Sequence, residues 1–166
     1  MFEEGNLLFF RPFLFKNGAE PQDKFFLVLK KMESDILLAS LPTSKDHVPS
    51  DLEVKYGCLN IPERMLNIFV FMAGENVAVK DDGTPFAFDK NTFIYGSDLD
   101  TYPAGQLDLQ ERMAQTSIEK IGTLDEDVFN NLIACLSESR MVKNKFRRML
   151  QGYHQLLKHL LLLSLS

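Results

Sequence analysis

Four side chains of this sequence could together form a small site: Lys24, Thr43, Ser44 and Lys45. An ammonium group stabilises a nearby negative charge, and hydroxyl groups both donate and accept hydrogen bonds. Lysine ordinarily titrates far above neutral pH, and its ammonium is a single, strongly hydrated point charge. These residue types therefore favour the stabilisation of an anion over proton transfer.

A predicted β-hairpin accounts for the proximity of these four side chains. Two apolar runs, 25–29 and 36–39, flank the polar segment 30–35, which is the pattern of two short strands with both faces buried. Pro42 has no N–H to donate to a ladder, so the second strand should end there. Because the start of one antiparallel strand lies beside the end of the next, we expect the four side chains to converge at one end of the sheet.

Further short strands are predicted before and after this hairpin. The first is Leu7–Phe15, a mostly apolar run near the start of the chain. Leu66–Met72 is a second apolar run, and Thr84–Phe88 and Thr92–Tyr95 carry aromatic residues at alternate positions. The segment 46–64 shows no sustained period, which predicts a long excursion from the sheet.

The pattern becomes helical near residue 123. Thr123 and Glu126 have the spacing of a capping box, and apolar residues then recur at helical spacing as far as Leu136. Short strands followed by one or two helices predict a mainly β fold with C-terminal helices, a small and partly open barrel closed by a C-terminal helix. We expect one domain over residues 1–139 and a basic, Leu-rich helical tail over residues 140–166.

The tail concentrates positive charge in an otherwise acidic chain. The formal net charge is −5, yet residues 140–166 carry six basic side chains and no acidic one. This tail could contact nucleic-acid phosphates, lie on a membrane surface, or be a solvated helix face whose apolar side packs on the barrel or on a partner. The near-helical spacing of its apolar residues favours the third alternative. Its Leu-rich end is too short to span a bilayer and should pack on a second copy or another protein.

Several short motifs follow one another along about two-thirds of the chain. In order they are Gly5-Asn6-Leu7-Leu8, Phe13-Leu14-Phe15, a loop with Gly18, Lys24 before Phe26-Leu27-Val28-Leu29, Leu38-Ala39-Ser40-Leu41-Pro42-Thr43-Ser44-Lys45, and Ile121-Gly122-Thr123-Leu124 before a helix. Together these motifs resemble the pattern of the PemK/MazF toxin family.

The resemblance implies an SH3-like barrel that dimerises, and an endoribonuclease toxin of a toxin–antitoxin system that acts on single-stranded RNA. In such cleavage the RNA 2′-OH attacks its own phosphate, and the protein stabilises charge and moves protons. The residues implied to be catalytic are Lys24, Thr43 and Ser44, and those implied to bind RNA are Lys45, Arg11 and Lys16.

One departure from the family pattern leaves a second hypothesis open. The family has Arg-Pro where this chain has Lys24-Phe25, and arginine binds phosphate oxygens with a planar fork that lysine lacks. The alternative is a non-catalytic interaction module on the same barrel, with the cleavage chemistry lost. A third hypothesis is a domain that binds a small ligand or nucleic acid without cutting it.

We expect a homodimer, an antitoxin peptide and single-stranded RNA as partners, no cofactor, no metal and no membrane span. No leader pattern opens the chain, which predicts a cytoplasmic location. Cys58 and Cys135 are isolated, which favours buried free thiols over a disulfide. The spacing of His47 and Cys58 is not diagnostic of zinc. The acidic residues at 81, 82, 98 and 100 stand in ordinary turn sequences, which favours solvated turns over a Mg²⁺ site.

Overall fold

The computed structural model describes residues 1–44 and 48–152, and its regular structure is mainly β. The strands are β1 (Asn6–Phe13), β2 (Gln22–Lys31), β3 (Asp35–Ser40), β4 (Gly57–Ile61), β5 (Leu66–Phe71), β6 (Asn76–Val79), β7 (Pro85–Ala87), β8 (Thr92–Tyr95), β9 (Leu99–Pro103) and β10 (Ser117–Leu124). The helices with both ends described are α1 (Ala104–Arg112) and α2 (Glu126–Ser137), with short 3₁₀ turns at Pro62–Arg64 and Gly96–Asp98.

The strands form two antiparallel sheets. The larger has seven strands in the order β7-β6-β10-β1-β2-β3-β9, and the smaller has the order β4-β5-β8. As described over these ranges, the sheets do not close into a barrel. The prediction of a mainly β, partly open fold with a C-terminal helix is therefore confirmed.

The predicted hairpin is β2 and β3, and both of its faces are buried. Phe26 pairs with Ser40, and Leu27 pairs with Ala39. Successive side chains of a strand point to opposite faces, so Leu27 enters the main core, which lies between the two sheets and α2. Phe26 enters a second core on the other face of the large sheet. The same alternation determines on which face of the sheet each side chain at the open end of the hairpin lies.

Helix α2 begins later than the capping pattern predicts. Its N-cap residue is Asp125, and no side chain caps the helix. Thr123 belongs to β10, where its hydroxyl donates to Asn6 Oδ1 at 2.9 Å. The predicted capping box is therefore wrong, because the strand pairing with β1 extends through Thr123.

The start of the basic tail packs on the main core. A helix runs from 144 to 152, and Val142, Phe146 and Leu150 on one side of this segment are buried in that core. The exposed side carries basic residues such as Lys145 and Arg148. The alternative of a solvated helix face with its apolar side packed on the domain is thus confirmed for this part of the tail. The predicted packing of the Leu-rich end concerns residues 153–166, which lie outside the described residues. None of the described helices has the length and apolar character needed to cross a membrane.

The two cysteines form a disulfide, so the prediction of free thiols is wrong. Cys58 in β4 and Cys135 in α2 are joined by an S–S bond of 2.04 Å. Cys58 is exposed and Cys135 is buried, so the bond links the edge strand of the small sheet to the helix beneath it. Disulfides are rare in a reducing cytoplasm, and the cytoplasmic location stays a prediction.

Gly96 gives a first testable prediction, because a side chain there has no room. A Cβ at this position would lie 2.3 Å from Asn67 Oδ1 and 3.0 Å from Val142 Cγ2. We expect Gly96→Ala to lower the free energy of unfolding by about 1–3 kcal/mol through overpacking, as measured by urea denaturation. Gly105→Ala is the matched control, because a Cβ there meets no atom within 4 Å. Equal stability of the two variants would contradict this account.

Candidate functional site

The large sheet separates the side chains that were expected to converge. Lys24 lies on the face that carries Phe26 and Ser40, and all three line one cavity, which we call the Lys24 cavity. Thr43 lines a different cavity with Phe25, which we call the Thr43 cleft. Because adjacent residues of a strand alternate in direction, the Lys24 ammonium and the Thr43 hydroxyl are not brought into one hollow.

The other two members of the predicted cluster are Ser44 and Lys45. Ser44 offers its backbone carbonyl to the Tyr95 hydroxyl, which donates to it at 2.9 Å. Lys45 lies outside the described residues, as does His47. Of the predicted cluster, the structure therefore places Lys24 and Thr43 on two different surfaces, each of which has its own chemistry.

The Thr43 cleft has an aromatic floor and a rim of charged and hydroxyl groups. Its volume is about 500 Å³. Its lining residues are Phe25, Thr43, Lys80, Pro85, Phe86, Ala87, Phe88, Asp89, Lys90 and Thr92. Within the described residues Lys80 and Lys90 form no ion pair. Both are exposed, so their ammonium groups are available to an anion.

A row of phenyl rings runs from this cleft across the sheet. The rings of Phe9 and Phe25 are 4.5 Å apart, and those of Phe25 and Phe86 are 6.3 Å apart. All three residues are only partly buried. The guanidinium carbon of Arg11 lies 4.7 Å from the centre of the Phe9 ring, and Arg11 Nη2 forms an ion pair with Glu119 Oε2 at 3.5 Å. We call Phe9, Phe25 and Phe86 the aromatic row.

The Lys24 cavity is smaller and more polar, with a volume of about 380 Å³. Its lining residues are Phe15, Asn17, Lys24, Phe26, Leu38, Ser40, Asp98, Leu99, Asp100, Tyr102 and Lys143. Lys24 Nζ lies 5.3 Å from the centre of the Phe15 ring. Lys16, one of the residues predicted to bind RNA, lies at its rim, where Nζ contacts Asp100 Oδ2 at 3.0 Å and the Tyr102 ring centre at 4.1 Å.

Two groups of the Lys24 cavity have shifted pKa values. Burial on its own would raise the pKa of Asp100, but hydrogen bonds from Lys16 and from the Thr101 N–H, with the charge of Lys143, lower it overall. Burial, with the charge of Asp100, raises the pKa of Tyr102 to about 12. Asp100 is therefore ionised and Tyr102 is a neutral phenol at neutral pH.

Several residues that complete these surfaces could not be singled out from the sequence. Phe86 lies in β7, Lys80 and Lys90 lie in the connections on either side of it, and Lys143 follows α2. The alternating aromatic residues from 86 to 95 predicted strands, but this pattern does not indicate that the strands line one cleft. Over 1–44 and 48–152 no three His, Cys, Asp or Glu side chains are grouped as a metal site would need.

Comparisons with family models, with curated proteins and with solved structures found no match to this chain.

Proposed function

We propose that this protein binds single-stranded RNA through the Thr43 cleft and the aromatic row. The observation that carries the proposal is the row of partly buried phenyl rings at Phe9, Phe25 and Phe86 beside the exposed ammonium groups of Lys80 and Lys90. Proteins that bind single strands combine stacking platforms for the bases with positive charge for the backbone.

The geometry suits an extended strand better than a duplex. Unpaired bases can stack on phenyl faces, and the three rings of the aromatic row are only partly buried, so they offer such faces at the surface. Lys80 and Lys90 would contact phosphates, and the Thr43 hydroxyl could hydrogen-bond to a 2′-OH or a phosphate oxygen. Asp89 in the same cleft would repel phosphate, so binding should be moderate and sensitive to salt.

Binding without cleavage is the form of this proposal that the geometry favours. Lys24 and Thr43 line different cavities, an arrangement that favours binding over joint action of the two side chains on one phosphate. The protein is then the non-catalytic module of the PemK/MazF kind. The endoribonuclease activity, the antitoxin and the homodimer implied by the resemblance stay predictions.

Phe86→Leu tests the stacking role, because it keeps an apolar side chain but removes the ring. We expect the affinity for a labelled single-stranded RNA to fall by a factor of about 5 or more, since stacking contributes about 1–3 kcal/mol per base. Fluorescence anisotropy measures the affinity. Lys90→Gln should also weaken binding and make the affinity less dependent on salt, because it removes one positive charge that would contact a phosphate. Tyr56→Leu is the matched control, because Tyr56 is an aromatic residue with 41% exposure outside the cleft.

Gel analysis of the same RNA distinguishes the two forms of the proposal. Bound but intact RNA supports the non-catalytic module. Cleavage that is lost in Lys24→Ala and in Thr43→Ala would instead support the toxin. If the folded protein binds no single-stranded RNA, or if Phe86→Leu and Tyr56→Leu behave alike, the cleft is not the binding surface.

A further inference from the structure

The Lys24 cavity holds more uncompensated positive charge than its composition suggests. It contains two carboxylates, those of Asp98 and Asp100, and two ammonium groups, those of Lys24 and Lys143. Asp100 is already neutralised, because Oδ2 contacts Lys16 Nζ at 3.0 Å and Oδ1 accepts from the Thr101 N–H at 2.8 Å. The charges that remain are two ammonium groups against one carboxylate.

The two ammonium groups come from distant parts of the chain. Lys24 lies in β2, and Lys143 lies just before the 144–152 helix. Within the described residues neither forms an ion pair, and each is near an aromatic ring, at 5.3 Å from Phe15 and 5.7 Å from Phe146. In a chain of net charge −5, two lysines on one cavity that form no ion pair with any described residue indicate a place for an anion.

Neutral groups in the cavity add donors and an apolar wall. The Asn17 side-chain oxygen accepts from the Ala19 N–H at 3.1 Å, which leaves its NH₂ group to donate, and Ser40 supplies a hydroxyl. Buried Phe26, Leu38 and Leu99 form the apolar part of the lining. The site thus offers positive charge and hydrogen-bond donors beside an apolar wall.

We propose that the Lys24 cavity binds a phosphomonoester attached to a small sugar or polyol. A phosphomonoester carries a charge of about −1.5 to −2 at neutral pH and several acceptor oxygens, so it can contact both ammonium groups at once. The Asp98 carboxylate, which accepts from the Ser97 hydroxyl at 3.2 Å, can accept from a sugar hydroxyl as well. The cavity volume of about 380 Å³ is in the range of small-ligand sites.

This site is separate from the proposed RNA surface, since the two lie on opposite faces of the large sheet. The same chemistry occurs in a free sugar phosphate and at the 5′-phosphate end of an RNA strand. Failure of one proposal does not decide the other, because the variants that test them change different cavities.

Titration of ¹⁵N-labelled protein with ribose 5-phosphate, followed by NMR, tests the site. We expect saturable chemical-shift changes at the amides of Lys24, Ser40 and Asp98. Neither ribose nor a simple carboxylate anion should cause such changes. A 5′-phosphorylated RNA trinucleotide compared with its 5′-hydroxyl form distinguishes the two sources of the phosphate. Shifts with either phosphorylated ligand support the proposal, and their absence with both would overturn it.

Variants of Lys24 and Lys143 test whether these two side chains bind the phosphomonoester. Lys24→Gln and Lys143→Gln should each lower the affinity for the phosphomonoester by about tenfold, because each removes a charge-assisted contact. Lys145→Gln is the matched control, since Lys145 is two residues from Lys143 but does not line the cavity. Equal losses in all three variants, with unchanged amide spectra, would show non-specific attraction and would refute the site.

Discussion

Reduction of the Cys58–Cys135 disulfide is expected to lower the free energy of unfolding by about 4 kcal/mol. The two cysteines are 77 residues apart in sequence, and a cross-link that closes so long a loop removes much of the conformational entropy of the unfolded chain. Urea denaturation of the oxidised protein and of the protein kept in a reductant measures the difference. The expected loss is a large part of the stability of an ordinary domain.

A double variant, Cys58→Ala with Cys135→Ala, serves as the control for the reductant. It should be about as unstable as the reduced protein and should not respond to the reductant. Buried Cys135 adds a small loss from the missing sulfur. If the oxidised and reduced forms unfold at the same urea concentration, the bond does not stabilise the fold.

The position of the disulfide explains why its loss should also lower the local stability of β4. No residue of β4 is fully buried, and among the described strands it pairs with β5 alone. Non-covalent packing therefore holds this edge weakly, and the bond to α2 anchors it. The segment 48–61, which covers the outer face of the small sheet, should exchange its amide hydrogens fastest after reduction.

Much of the fold could be predicted from local pattern. The β2–β3 hairpin followed from two apolar runs around a polar segment, and α2 followed from its helical period, although its start was misplaced. The disulfide could not be predicted, because two cysteines allow one pairing but the sequence does not show whether their side chains meet. It depends on β4 lying against α2, which is a tertiary contact.

The candidate site was harder to predict than the fold because it depends on register. The sequence correctly put Lys24 and Thr43 near one end of a hairpin, but a shift of one residue moves a side chain to the other face of a sheet. The pairing of Phe26 with Ser40 puts Lys24 on the Phe26 face. The aromatic row was invisible in the sequence because its rings come from three strands, β1, β2 and β7.

The second large effect is expected from Phe146→Ala, in the segment that the sequence analysis assigned to a separate tail. Phe146 is 1% exposed and is buried in the main core with Val142 and Leu150. Loss of a fully buried phenyl ring costs about 3–5 kcal/mol through lost burial and the cavity that remains.

Urea denaturation followed by circular dichroism measures this loss, and Arg148→Ala is the matched control. Arg148 is an exposed residue two positions further along the same helix, so its replacement should change the free energy of unfolding by no more than about 0.5 kcal/mol. A single, shifted transition in Phe146→Ala would show that residues 142–150 unfold together with the sheets, because their apolar side chains share one core. An unchanged transition would mean that this segment packs on the domain without stabilising it.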